Sequence, residues 1–166
     1  MQLRPLAEKD APLMLEWMHD ESVVHHLSAN FQAKTLADCL RFIAAAANDP
    51  HNVNLAIADD EDTYMGTVSL KHLDMINKTA EFAITIRACA MGKGYSQFGM
   101  AEILKRGITQ YGLETIYWCV SQKNLRAVRF YDKCGYTRTE QVPDTISNAY
   151  TLEQLAEFIW YVYPNP

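Results

Sequence analysis

Residues 78–96 constrain the fold of this chain more than any other stretch. They read Lys78-Thr79-Ala80-Glu81-Phe82-Ala83-Ile84-Thr85-Ile86, then Arg87-Ala88-Cys89-Ala90-Met91, then Gly92-Lys93-Gly94-Tyr95-Ser96. The first block is an apolar, β-branched run of strand length, and the second is a short loop. The third sets two glycines around a lysine where an amphipathic helix over 96–111 begins, with Phe98, Ala101, Leu104, Ile108 and Tyr111 on its inward stripe. Strand, glycine loop and helix N-terminus in this order make an anion site. Glycine lets the backbone approach closely, and the unpaired N–H groups of the first turn point at the ligand. Lys93 adds a positive charge, so the stretch calls for a phosphorylated ligand. Two familiar patterns fail. A Walker-type loop needs Ser or Thr after the lysine, where Gly94 stands. A dinucleotide fingerprint needs Gly or Ala where Gln97 stands. Taken alone, the loop also reads as a tight turn that needs glycine.

The other elements follow in order. Residues 2–6 form a first strand, and Asp10 caps a helix reaching His19, with Pro12 in its first turn and Leu13, Met14, Trp17 and Met18 inward. Residues 21–30 are irregular or weakly helical. Thr35 and Asp38 form a capping box for an alanine-rich helix to about Asn48. Strands are expected over 52–58, 64–72 and 78–86, with the acidic run Asp59-Asp60-Glu61-Asp62 as a solvated turn. Gly112 suits a left-handed helix end, and Ile116, Trp118 and Val120 alternate in a strand. Asn124 caps a helix to Lys133, Gly135 ends it, and 136–140 returns as a strand. A polar loop around Pro143-Asp144, a helical turn over 151–157 and a strand over 158–163 complete the chain. Hairpins come first and strand–helix–strand units later, which predicts one mixed sheet with helices on both faces.

At 166 residues, 49% hydrophobic and 21% charged, the chain reads as one globular α/β domain over 1–166. Its net charge of −5 disfavours nucleic acid as partner, because phosphate backbones need a basic face. Four scattered cysteines with no Cys-x-x-Cys pair, no apolar leader and no membrane-length run read as a soluble cytoplasmic protein with no membrane partner. His19, His25 and His26 lack metal-ligand spacing, so no metal is expected; the last two belong to a surface or substrate loop. His51 and His72 read as solvent-facing, Cys134 as packing, and Trp17, Trp118 and Trp160 as core. Glu16, Asp20 and Glu21 read either as an amine-attracting cleft or as a solvated helix face.

A second stretch, Asn124-Leu125-Arg126-Ala127-Val128-Arg129-Phe130-Tyr131-Asp132-Lys133-Cys134-Gly135-Tyr136, resembles the Asn-x-x-Ala-x-x-Phe-Tyr-x-Lys-x-Gly-[Tyr/Phe] signature of the GNAT family of N-acetyltransferases. Its spacing from the glycine loop also fits, and the resemblance covers nearly the whole chain. Leu3-Arg4-Pro5-Leu6, Gly66-Thr67-Val68-Ser69-Leu70 and Asn77-Lys78-Thr79-Ala80-Glu81 look like the branch that acetylates ribosomal-protein N-termini, polyamines and amino sugars. The resemblance implies a single mixed, mostly antiparallel sheet of about seven strands flanked by about four helices. It also implies acetyl-CoA as acyl donor, direct transfer to a primary amine, and no metal; a homodimer is compatible with it.

By that resemblance Met91, Gly92, Lys93, Gly94, Tyr95 and Ser96 hold the pyrophosphate. The family loop [Gln/Arg]-x-x-Gly-x-[Gly/Ala] is altered here to Met91, Gly94 and Ser96, so Met91 offers its backbone N–H but no polar side chain. Ile84, Thr85 and Ile86 would hold the pantetheine arm and polarise the thioester through backbone N–H groups, and Asn124 would touch the same arm. Glu81 would assist deprotonation, which an amine needs: at a pKa of about 10.4 only about one in a few thousand is neutral at pH 7. It reads equally as a strand acid facing Lys71 or Lys78. Tyr131 would protonate the departing thiolate, a phenol of about 10 facing a thiol of about 8.5. The alternative from another class is a coenzyme-A-binding sensor or partner module that has lost catalysis. Acceptor contacts would come from 20–34 and 141–150, which carry no decodable motif.

Overall fold

The computed structural model describes residues 1–164. In chain order, β1 (Gln2–Pro5) leads through a short turn to α1 (Ala11–Met18) and α2 (Glu21–Val24), followed by α3 (Leu36–Ala46). β2 (Val53–Ala58), β3 (Tyr64–Asp74) and β4 (Thr79–Ile86) make a meander, and α4 (Tyr95–Thr109) crosses to β5 (Thr115–Ser121). Next come α5 (Leu125–Lys133), β6 (Thr137–Arg138), α6 (Asp144–Ser147), α7 (Leu152–Glu157) and β7 (Phe158–Tyr163). The strands form one sheet in the order β1-β2-β3-β4-β5-β7-β6, antiparallel throughout except between β4 and β5. This is the mixed, mostly antiparallel seven-stranded sheet that the family resemblance implied. Of seven helices among the described residues, four have eight residues or more.

Strand alternation sorts the core into two layers. Ala56 and Tyr64 face α1 and α3, in a cluster with Met14, Trp17, Cys39 and Ile43. Ile57, Val68, Leu70, Phe82, Ile116 and Trp118 face the other way, under α4 and α5. A carboxylate locks the first corner: Asp10, almost fully buried, takes both terminal nitrogens of Arg4 at 2.7 and 2.8 Å and the Ala7 amide at 2.9 Å. Asp10 was expected to cap α1; its side chain makes no cap bond because the Arg4 fork and the preceding turn occupy it. Thr35 and Asp38 do form the capping box, and Thr151 forms another with Gln154.

The inward stripe of α4 is a second difference. Of the five residues expected inward, Leu104 is buried, Phe98, Ile108 and Tyr111 are half-buried against the core, and Ala101 is exposed; Gly99, Met100, Ile103 and Gly107 complete the buried stripe. Glycine carries no weight in a hydrophobic periodicity, yet it lets α4 lie close on the sheet. A Cβ at Gly99 would stand 2.4 Å from Ile57 Cδ1, and one at Gly107 2.6 Å from Ile116 Cδ1. The return strand is shorter than 136–140, and the expected polar loop at Pro143-Asp144 opens the short helix α6, whose Ile146 is fully buried. α6 thereby packs on β3.

Gly66 ties this packing to the strand pair that carries the site. A Cβ there would meet the Thr85 carbonyl oxygen at 2.4 Å, and a paired backbone cannot swing aside as a side-chain tip can. Overpacking of this kind costs about 1–3 kcal/mol. Gly66→Ala should therefore lower the thermal midpoint by several degrees in a calorimetric melt; an unchanged midpoint would show that β3 and β4 do not approach so closely.

Candidate active site

The parallel pairing of β4 with β5 covers Thr79↔Thr115, Ala80↔Ile116 and Glu81↔Tyr117, and stops there. Beyond Glu81, β4 continues to Ile86 paired with β3 alone, while β5 continues to Ser121 paired with β7. The two strands therefore splay. Alternate backbone groups of 82–86 point into the gap with no strand opposite.

A cavity of about 960 Å³ fills this gap. Ile84, Thr85 and Ile86 line one wall; Asn124, Ala127, Phe130 and Tyr131 of α5 line the other. Met91, Gly92, Gly94 and Ser96 close one end, where α4 begins. Gly94 takes the N-cap position at φ +86°, a conformation that favours glycine, and no side chain caps this helix end. The first-turn amides face the cavity mouth without helical partners, as an anion site requires.

Not every expected loop residue joins this wall. Lys93 is exposed and Tyr95 is half-buried on the core; neither lines the cavity. The Met91 amide was expected to be available, but it donates to the Ala88 carbonyl at 3.2 Å, closing a short turn. What replaces the missing polar side chain comes from α5: Arg126 lines the same end, its Nη1 3.3 Å from Met91 Sδ. Asn124 lines the cavity and caps α5, its Oδ1 accepting from the Ala127 amide at 3.2 Å.

Glu81 lies at the floor, 2% exposed, on the face of β4 opposite Phe82. Its Oε1 accepts a hydrogen bond from the Tyr150 hydroxyl and lies 3.5 Å from Lys71 Nζ and 4.0 Å from Cys119 Sγ. Oε2 is buried without a hydrogen bond, 3.5 Å from His72 Nε2. Lys71 is the cross-strand partner of Glu81. The strand-acid reading is thus right about the partner, while burial removes the solvent that reading assumed. His72, expected to face solvent, is half-exposed and turned to Glu81 at an irregularity in the β3–β4 register.

Tyr131 is 7% exposed and packed edge-on against Trp118 at 5.6 Å. Burial pushes its phenol well above the usual value, so it stays protonated at neutral pH. Burial, with the Glu81 charge behind it, pushes the Cys119 thiol up to about 12. His25 and His26 do line the cavity. None of Glu16, Asp20 and Glu21 does: Glu16 pairs with Arg87 at 3.0 Å, Asp20 caps α2, and Glu21 lies on the surface. Tyr150, Arg126 and Cys119 are the site neighbours that sequence reasoning passed over. Asn-x-Arg-Ala spacing could have flagged Arg126; Tyr150 carries no such signal. Among the described residues no group of three His, Cys, Asp or Glu side chains gathers to hold a metal, and no helix is long and apolar enough to cross a membrane.

Comparison with known proteins agrees with this geometry. Residues 1–137 match the model of the acetyltransferase (GNAT) domain. A spermidine N(1)-acetyltransferase of Vibrio cholerae is 31% identical over 80 residues, an alignment spanning 48% of this chain and 46% of that protein, so the match spans about half the length of this curated relative. Among solved structures, spermidine N-acetyltransferase from Vibrio cholerae in complex with CoA and spermine superposes with a TM-score of 0.78 at 19% identity, covering 97% of this chain and 92% of the other. A dodecameric structure of a spermidine N-acetyltransferase from the same organism gives 0.70 at 19% identity, covering 97% and 90%.

The cavity chemistry makes a direct forecast for the thiols. Cys89 and Cys134 are exposed, whereas Cys39 is buried and Cys119 holds its proton up to about 12. At pH 8 an ordinary thiol of pKa about 8.5 is roughly a quarter ionised, and only the thiolate reacts. Iodoacetamide on the native protein should therefore modify Cys89 and Cys134 and spare Cys39 and Cys119 by peptide mass spectrometry. Rapid labelling of Cys119 would contradict the closed floor.

Proposed function

We propose, for a chain that belongs to the GNAT acetyltransferase family, that it transfers an acetyl group from acetyl-CoA directly to a primary amine. The observation that carries this reading is the gap between β4 and β5. It combines an unpaired strand edge, an uncapped helix N-terminus and a buried carboxylate in one cavity. These residues fit the coenzyme. The mouth of α4, with Gly92, Gly94, Ser96 and the Arg126 guanidinium, suits a pyrophosphate, and the edge of β4 suits an amide-bearing arm. Acetyl-CoA supplies an activated thioester.

The chain's own residues divide the remaining work. The Arg87 amide donates to the Met65 carbonyl on β3, so by alternation Ile84 and Ile86 turn their N–H groups into the gap, where they polarise the carbonyl from fixed positions at no reorganisation cost, with Thr85 between them on the same wall. Glu81 draws the proton from the incoming ammonium, without which the nitrogen has no lone pair to offer. Tyr131, held as a neutral phenol, donates to the sulfur that leaves. Asn124 fixes the start of α5, and so the place of Tyr131.

The acceptor is a primary amine. The relatives' names make a polyamine the first to test. A second reading has its own support: Glu81 is the one carboxylate among the lining residues, beside Lys71, Lys123 and Arg126. That balance suits an acceptor bearing a single ammonium group, such as a peptide N-terminus or an amino sugar, as well as the phosphates of the coenzyme. The four free cysteines fit a reducing, cytoplasmic setting. By analogy with the dodecameric neighbour, we infer self-assembly into a homodimer or a larger oligomer.

Thiol release from acetyl-CoA, measured over spermidine, peptide N-termini, amino-sugar nucleotides and aminoglycosides, tests the reading. Turnover well above hydrolysis is expected for one class. A silent panel with a melting temperature still raised by acetyl-CoA would favour a binding module instead. On the active acceptor, Tyr131→Phe should lower kcat on the order of 10²-fold while leaving the coenzyme Kd within about twofold. If both stay unchanged, Tyr131 does not serve the leaving thiolate.

A further inference from the structure

Beside Glu81, which is only 2% exposed, the cavity wall carries a side chain from a part of the sequence that has no motif. Tyr150 joins α6 to α7, and its ring packs edge-on against Phe158 at 5.2 Å and Trp160 at 5.8 Å, both on β7. Its hydroxyl donates to Glu81 Oε1, and it lines the cavity itself. The other oxygen of Glu81 is buried toward His72, away from any hydrogen-bond partner. An amine in the cavity therefore meets the tyrosine hydroxyl where a bare carboxylate was expected. A phenol that donates its proton keeps its oxygen lone pairs free to accept another hydrogen bond.

We propose that Tyr150 is a catalytic residue that relays the acceptor's proton to Glu81. The ammonium N–H proton passes to the Tyr150 oxygen as the Tyr150 O–H proton passes to Glu81 Oε1. The phenol ends as a phenol, the carboxylate ends as a carboxylic acid, and the nitrogen keeps its electron pair for the thioester carbonyl. No tyrosinate forms, which suits a hydroxyl whose ionisation burial opposes. Cys119, the remaining titratable neighbour of Tyr150, stays a thiol up to about 12 and takes no part. Lys71 and His72 also face Glu81, each at 3.5 Å, and both are retained in the variant. The inference rests on the transferase reading above and assigns the group that touches the acceptor.

The test is the pH dependence of kcat/KM for Tyr150→Phe, which keeps the ring packing and loses only the hydroxyl. Spermidine and butylamine serve as probes, both alkyl ammonium ions near the lysine value of about 10.4. At pH 7.5 the variant should fall at least about tenfold below the parent. By pH 10.5, where much of the amine is neutral unaided, it should come within about twofold of the parent, since the relay is then dispensable. Glu81→Gln should converge in the same way, and the double variant should be no worse than either single one. The melting temperature of Tyr150→Phe should stay close to that of the parent. A deficit equal at every pH would assign Tyr150 to binding or packing, and no deficit at pH 7.5 would remove it from the site; either overturns the relay. If the parent acetylates neither probe at any pH, the alkylamine transferase reading itself falls and takes the relay with it.

Discussion

Everything at this site depends on where the β4–β5 ladder ends. Three residue pairs close it, and past Glu81 and Tyr117 the two strands part. They cannot relax toward each other because each is held from outside: β4 by β3 along Gly66↔Ile86 to Lys71↔Glu81, and β5 by β7 from Ile116↔Tyr163 to Ser121↔Phe158. An interior pair of strands normally spends its backbone polar groups on its neighbours. Here one edge inside the sheet is left unspent, next to a helix end that is also unspent. A ligand with a carbonyl, amides and phosphates satisfies both together, and few other molecules do.

The same gap explains why a carboxylate survives in the core. An uncompensated buried charge is expensive, and pairing rarely makes it net stabilising. Glu81 has Lys71, Tyr150 and Cys119 around one oxygen and leaves the other without a hydrogen bond. That incomplete satisfaction is a poor device for stability and a reasonable one for moving protons. At the opposite end, Met91 has no polar group, and Arg126 brings its charge from the next helix to the same place. Loop and helix are thus two sources for one electrostatic feature: a cation beside the open helix terminus.

How far the sequence alone carried the reading differs by element, for physical reasons. The β4 run, the glycine loop and the Asn124 cap are local in sequence, so their patterns are visible there. Glu81 and Tyr131, both on the cavity wall, stood out as candidates because they sit at fixed offsets inside those patterns. Tyr150 did not: it lies 69 residues from Glu81 on a short connection without periodicity, and only the fold brings the two together. The inward stripe of α4 was only partly visible because Gly99 and Gly107 bury backbone rather than side chain. Asp10 looked like a helix cap because its local setting is one; the competing demand was the half-buried Arg4, whose guanidinium takes both carboxylate oxygens. In each miss a tertiary contact overrode a local signal.

Amide hydrogen exchange with and without coenzyme A tests the central claim most directly, since it reads the backbone groups said to be unspent. Saturating coenzyme A should slow exchange within 82–86, at the amides that face away from β3, and within 94–97, at the first turn of α4. Protection confined to other segments, with both of these unchanged, would contradict the assignment of the splayed strands as the coenzyme site.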